Sequence, residues 1–207
     1  MKDGEMEVNM GRGILFVMSG PSGTGKGTIC KELLRTENIF LSVSATTREI
    51  RVGEVDGVTY NYLYREEFEE LIEAGEMLEY AIYNGNYYGT PKQNVEKMLD
   101  KGTNVLLEIE PQGALNVKSQ FPEAVLLFVV PPSMAELKRR LEERGRENEA
   151  QIAERMAAAK WELEQAPKYN YVVVNDDFDE CVREVTEIFH RKIEDRERVE
   201  ALLNEKY

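Results

Sequence analysis

Short, solidly apolar runs alternate along this chain with longer stretches in which apolar residues recur every three or four positions. Ile14 to Met18, Asn104 to Glu110, Ala124 to Val130 and Tyr171 to Asn175 are apolar on consecutive positions, which predicts strands covered on both faces. The second of these stays apolar until Glu108 and Glu110. Carboxylates there are expected at the carboxyl edge of the sheet, where open α/β folds bind ligands. Ile29 to Leu34 and the stretch from Asp177 to about Glu205 have helical spacing. Thr90-Pro91 reads as the cap and first-turn proline of a helix that Gly102 ends, and Ser133-Met-Ala-Glu136 as a capping box opening another. Strands alternating with helices predict a three-layer α/β fold, its parallel central sheet connected by right-handed crossovers.

Two stretches leave this pattern. Leu41 to Ser44 reads as a strand end, followed by a polar, glycine-punctuated connection to Gly57 that carries Arg48 and Arg51. Such a loop is either solvated or binds an anion. Val58 to Tyr64 is tyrosine-rich and favours β structure, and Arg65 to Gly75 is an amphipathic helix closed by glycine. Met77 to Tyr83 and Asn86 to Tyr88 flank Asn84-Gly85, a strong hairpin signal. Residues 44–90 therefore read as a small α+β insertion. The second stretch, 133–166, has a polar region with Arg139, Arg140, Arg144 and Arg146, then a helix from about Glu149 to Ala166 containing Arg155. By itself this reads equally as a solvated helix with i,i+4 ion pairs.

The chain has 207 residues, 42% hydrophobic and 31% charged, which suits one domain with a full core and no membrane span. Met1 to Met10 is acidic and polar, so residues 1–11 read as a flexible tail rather than a secretory leader, and Met10 is an alternative start. Cys30 and Cys181 show no metal spacing and read as buried thiols of a reducing, cytoplasmic protein. A net charge of −13 argues against nucleic-acid or anionic-membrane partners. An anionic substrate must be met by local arginines.

The first strand runs into Gly20-Pro21-Ser22-Gly23-Thr24-Gly25-Lys26-Gly27-Thr28, and a helix follows. Glycines at 23 and 25 let backbone N–H groups turn toward phosphate oxygens, the helix adds its positive end, and Lys26 adds a mobile ammonium. A glycine turn that binds nothing is the alternative, but G-x-x-x-x-G-K between a strand and a helix is a specific phosphate-loop signal. The residue after Lys26 is glycine, and the hydroxyl comes at Thr28, one place later than in the standard motif. A phosphate loop with two excursions flanking one sheet edge is the plan of a phosphotransferase.

Several motifs, in order, resemble the guanylate kinases over about residues 12–190: the phosphate loop, Ser-Val-Ser-x-Thr-Thr-Arg from Ser42, Arg51-x-Gly-Glu-Val, Gly-Asn-Tyr-Tyr-Gly from Gly85, Gln112-Gly113, Pro131-Pro132-Ser133, Arg144-Gly145 and Asn175-Asp-Asp. The resemblance implies transfer of the γ-phosphoryl of ATP to GMP with Mg2+, on a P-loop core of 12–43, 91–132 and 167–207 with a GMP-binding insertion at 44–90 and a helical lid at 133–166. It assigns ATP to residues 20–28 and Asn175. GMP is assigned to Ser44, Arg48, Arg51, Tyr60, Glu79, Tyr88, Thr90 and Glu108. Lys26, Arg48, Arg140, Arg144 and Arg155 receive catalytic roles, and Thr28 and Glu110 a metal role. Arg139 and Arg146 have no counterpart and are expected in solvent.

Guanine's recognition edge fits these assignments: donors at N1 and N2 call for a carboxylate such as Glu79, and O6 calls for a hydroxyl such as Ser44 or Thr90. Without the resemblance, Glu79 would read as an ordinary solvated strand residue and the tyrosines as packing. Family members usually carry Asp-Ile-Asp where this chain has Glu108-Ile-Glu110, each carboxylate reaching one methylene further. Two alternatives stand beside this reading: a kinase for another nucleoside monophosphate, and a catalytically inactive protein-binding scaffold of the same fold. Glu79 speaks against adenine, which offers a carboxylate one donor, and Lys26, Arg140 and Arg144 speak against the scaffold. The sequence leaves monomer and homo-oligomer both open.

Overall fold

A computed structural model describes residues 11–83, 85–145 and 148–206. The expected tail at 1–10 with its alternative start, Asn84 of the hairpin turn, and Arg146 lie outside the described residues.

The core is a five-stranded, fully parallel sheet in the order β2 (Ile39–Leu41), β7 (Asn104–Glu108), β1 (Leu15–Ser19), β8 (Val125–Val130), β9 (Tyr171–Val174). Alternation along β1 divides the apolar run between two layers. Phe16 and Met18 join Ile29 and Leu33 of α1 (Lys26–Thr36) and Val185 and Phe189 of α7 (Phe178–Lys206). Leu15 and Val17 face the opposite way, toward Val95 and Leu99 of α3 (Lys92–Asp100) and Val117 of α4 (Pro111–Gln120). Each such aliphatic or aromatic side chain taken fully from water contributes about 1.5–3 kcal/mol. Because both faces are filled, a strand here has no room for alternating polar residues, and solid apolar runs are the result. Cys30 and Cys181 are both buried and unpaired, and burial pushes both thiols up.

A second sheet has the order β4 (Asn61–Tyr62), β3 (Ala45–Thr46), β6 (Asn86–Pro91), β5 (Met77–Tyr83) and packs on α2 (Arg65–Glu73) through Phe68, Ala45 and Met77. Gly75, with φ 70°, turns the chain out of α2. A helical pair, α5 (Met134–Arg144) and α6 (Glu149–Leu163), closes through Leu137, Leu141, Ile152 and Ala159. Among the described residues no helix is long and apolar enough to cross a membrane.

Four local expectations are corrected. Thr90 and Pro91 are the last residues of β6, and Pro91 itself occupies the N-cap position of α3. Thr90 does not cap because its hydroxyl is engaged by Glu79. The strand at Asn104 stops at Glu108, and Glu110 precedes α4, a helix with Pro111 in its first turn that the weakly amphipathic segment did not announce. The polar stretch at Arg139 to Arg144 is helical, the exposed end of α5. Ser133 Oγ accepts from the Glu136 N–H at 3.1 Å, but Glu136 turns its carboxylate to Arg139 and Arg140, so only half of the capping box forms. Those two arginines hold it down to about 2.

Candidate active site

The phosphate loop begins where β1 ends. Gly20, Gly23 and Gly25 have φ of 137°, 94° and 92°, a region that favours glycine. A Cβ at Gly20 would lie 2.1 Å from the Val129 carbonyl oxygen, so glycine there lets the loop close onto β8. At Gly25 the space is taken by Asn175, whose Nδ2 donates to the Thr24 carbonyl at 2.7 Å. Thr24 Oγ1 donates to the Pro21 carbonyl at 2.9 Å. Thr24 and Asn175 thus brace the loop from within. Lys26 is buried, and its ammonium donates to the carbonyls of Gly20 at 2.5 Å and Pro21 at 3.0 Å. These contacts hold the charge at the loop rather than letting the flexible chain wander.

The second sheet supplies an acidic pocket. In the β5–β6 ladder Glu79 faces Thr90 and Ala81 faces Tyr88, so alternation puts Glu79, Tyr88 and Thr90 on one face. Tyr87 points to the other face and stacks on Phe68, with ring centroids 5.0 Å apart. Thr90 Oγ1 donates to Glu79 Oε1 at 2.7 Å. Burial pushes the Glu79 carboxyl up to about 7, the nearby Glu110 adds to the rise, and the Thr90 hydrogen bond opposes it. Tyr60 and Tyr88 meet edge to face at 5.9 Å, and the Arg48 guanidinium lies 5.7 Å from the Tyr60 ring centroid, with Tyr88 helping to keep it charged. Arg48, Tyr60 and Tyr88 therefore converge. Arg51 keeps an exposed side chain, and Ser44 is half-buried just before β3.

Between loop and pocket stand the carboxylates of the Glu-Ile-Glu segment. Glu108 Oε1 lies 3.5 Å from the position a Cβ would take at Gly27. Gly27, the departure from the standard phosphate-loop motif, and Glu108, the departure from the family's aspartate, are thus neighbours in space, at a distance that would leave a Cβ at residue 27 in ordinary contact. Burial raises the Glu108 carboxyl, Lys26 opposes that rise and Glu110 adds to it. Thr28 is exposed in the first turn of α1. Among the described residues no three acidic, histidine or cysteine side chains form a metal cage. Two carboxylates and a hydroxyl beside a phosphate loop suit a hard cation that takes its remaining oxygens from substrate phosphates and water.

The helical pair leans over the loop. Leu141 Cδ2 would meet a Cβ at Gly23 at 3.0 Å, and Arg155 Nη1 donates to Ser22 Oγ at 2.6 Å. Arg140 is tied to Glu136 at 2.7 Å, and Arg144 is exposed at the end of α5. Of the three arginines singled out there, Arg155 is the one in contact with the loop. Arg139 pairs in solvent with Glu136 and Glu143, as expected of a residue outside the site. Glu162 was not singled out from the sequence. It is partly buried, and burial pushes it up to about 7, with Glu110 adding and Lys26 and Arg155 opposing. Its spacing of two helical turns from Arg155 puts both on one face of α6, the signal that could have marked it.

A phosphate loop at the carboxyl edge of a parallel sheet, with a buried Glu79–Thr90 pair and the Arg48, Tyr60 and Tyr88 cluster on a second sheet, defines a phosphoryl-transfer enzyme of the P-loop class. Comparison with known proteins carries this further. The family model described as Guanylate kinase matches residues 12–192. The chain is 54% identical over 178 residues to a guanylate kinase of Clostridium perfringens, covering 86% of this chain and 82% of that one. It is 49% identical over 197 residues to that of Clostridioides difficile, covering 95% and 96%. The crystal structure of guanylate kinase from Anaplasma phagocytophilum superposes with a TM-score of 0.73 at 37% identity, covering 88% of this chain and 87% of that one. The chain belongs to the guanylate kinase family.

Proposed function

We infer that this protein transfers the γ-phosphoryl of ATP to GMP, giving ADP and GDP, and that it does so in the cytoplasm. The observation that carries the choice of acceptor is the buried Glu79–Thr90 pair. An ionised Glu79 accepts from guanine N1–H and N2–H, and the Thr90 hydroxyl that now steadies the carboxylate, with Ser44, is available to O6. Arg48, Arg51, Tyr60 and Tyr88 then hold the monophosphate, and Glu108 lies beside it.

Phosphoryl transfer needs alignment and positive charge on the migrating group more than it needs covalent help. The loop backbone from Gly20 to Thr28 cradles the ATP phosphates, and Lys26 exchanges its carbonyl partners for phosphate oxygens whose charge grows toward the transition state. Arg155 reaches the same place from α6. Arg140 and Arg144 arrive when the 133–166 lid closes on the 44–90 insertion, a motion that excludes water from the reacting oxygens. Asn175 bounds the adenine side. Mg2+ is the cation assigned to Glu110 and Thr28; when bound it neutralises charge shared between the β- and γ-phosphates.

A coupled assay of ADP release against GMP, AMP, CMP and UMP tests the assignment. Release preferring GMP by orders of magnitude is expected. A preference for another monophosphate, or no release with any, would overturn it.

A further inference from the structure

Glu54 belongs to none of the roles assigned so far, yet four hydrogen bonds converge on its carboxylate. Its Oε1 accepts from Arg48 Nη2 at 2.8 Å. Its Oε2 accepts from Arg48 Nη1 at 3.0 Å, from the Arg51 backbone N–H at 2.8 Å and from the Tyr62 hydroxyl at 2.8 Å. The Glu54 N–H in turn donates to the Arg51 carbonyl at 3.0 Å, closing the turn between them. One carboxylate therefore holds the guanidinium of one arginine in a two-point fork and the backbone of the other. Resting on the reading of Arg48 and Arg51 as ligands of the GMP phosphate, we propose that Glu54 is a positioning residue that sets both arginines for the monophosphate before it arrives.

The alternative is that an exposed loop simply pairs its charges. Two observations oppose it. The Arg48–Glu54 pair is largely covered, with side-chain exposures of 11% and 20%, unlike the Lys138–Glu142 and Arg139–Glu143 pairs of α5, where both side chains are more than half exposed. Arg48 Nη1 also donates to the Glu49 carbonyl at 2.7 Å, so the fork has one orientation and leaves the guanidinium against Tyr60 and Tyr88. A flexible arginine must otherwise lose its rotamer freedom when the phosphate binds, and a pre-set fork removes that cost.

Two effects oppose each other when Glu54 loses its charge. Removing an anion near a phosphate site favours the phosphate electrostatically. Against this, an amide offers one acceptor oxygen and two donors, so in either orientation it turns a donor toward Arg48, or toward Arg51 N–H and Tyr62. The positioning role predicts that the second effect wins.

The test compares Glu54→Gln, Glu54→Asp and Arg48→Met in steady-state kinetics and in calorimetric binding of GMP and of guanosine, which lacks the phosphate. For Glu54→Gln, KM for GMP should rise about tenfold or more while KM for ATP, guanosine affinity and melting temperature hold. Glu54→Asp, which keeps the charge on a shorter arm, should recover part of the loss. A GMP KM that is unchanged or lower in Glu54→Gln, with Arg48→Met strongly impaired, would overturn the positioning role alone. Parallel losses for guanosine and ATP would likewise overturn it, as a general structural effect. If Arg48→Met leaves GMP binding intact, the phosphate-site reading fails and the proposal falls with it.

Discussion

Gly113 of α4 approaches Glu79 of β5 so closely that a Cβ at residue 113 would stand 2.5 Å from Glu79 Oε2 and 3.0 Å from its Cδ. Gly113 is the third residue of α4, in its first turn. Here it lets the buried Glu79 carboxylate sit against the helix. Gly113→Ala should accordingly raise KM for GMP at least tenfold through displacement of Glu79, with KM for ATP within about twofold of the parent. Equal effects on the two substrates would show that the methyl disturbs the core sheet and not the pocket.

On the proposed assignment, the titration of Glu79 makes base recognition depend on pH. Its carboxyl sits at about 7, above the ordinary 4.5, and guanine's donors require the ionised form. Below pH 7 each unit should therefore weaken guanosine binding about tenfold, and above pH 8 the affinity should level off. Guanosine is the better probe because GMP's own phosphate titrates in the same range. In Glu79→Gln the profile should be flat and the guanosine affinity low throughout. The sign for the unliganded protein follows from linkage: a raised carboxyl adds stability below pH 4.5 that is lost as pH climbs through 7, so Glu79→Gln should relieve destabilisation at pH 8. A variant no more stable than the parent at pH 8 would contradict the burial cost assigned to Glu79.

Lys26 bears on the transferring group. Lys26→Met removes the ammonium and its bonds to the Gly20 and Pro21 carbonyls. Turnover should fall by two or more orders of magnitude, while GMP binding measured without ATP changes little. Near-normal turnover would displace Lys26 from the reaction.

Arg155 and Ser22 join α6 to the phosphate loop through a 2.6 Å hydrogen bond. If that contact only steadies the lid, Ser22→Ala and Arg155→Met should have equal, small effects. The charge role assigned to Arg155 predicts otherwise. Arg155→Met should lower kcat about a hundredfold and Ser22→Ala by less than about fivefold, with kcat read separately from KM for ATP. Comparable losses in the two variants would reduce Arg155 to a lid contact.

The layered α/β core and the phosphate loop were legible in the chain because their signals are local. Ile14 to Met18 is apolar at every position since both sheet faces are covered, and Gly20, Gly23 and Gly25 occur where φ is positive and a neighbouring strand or side chain takes the place of a Cβ. Helix α4 was not announced, because Pro111-Gln-Gly113 is a poor helical pattern whose glycine answers to Glu79, 34 positions earlier in the chain. Thr90 read as a helix cap for the same reason, since its hydroxyl bonds a residue on the opposite strand. Glu54 stood in the Arg51-x-Gly-Glu-Val motif without a role of its own, and Glu162 was not singled out. What separates them from the many solvated glutamates is the neighbours that folding brings to them: Arg48, Arg51 and Tyr62 around Glu54, and Lys26, Arg155 and Glu110 around Glu162. Spacing and turn chemistry act over a few residues and are written in the sequence. A carboxylate's burial, its pKa and the donors it meets depend on strands and helices distant along the chain, and only the tertiary structure decides them.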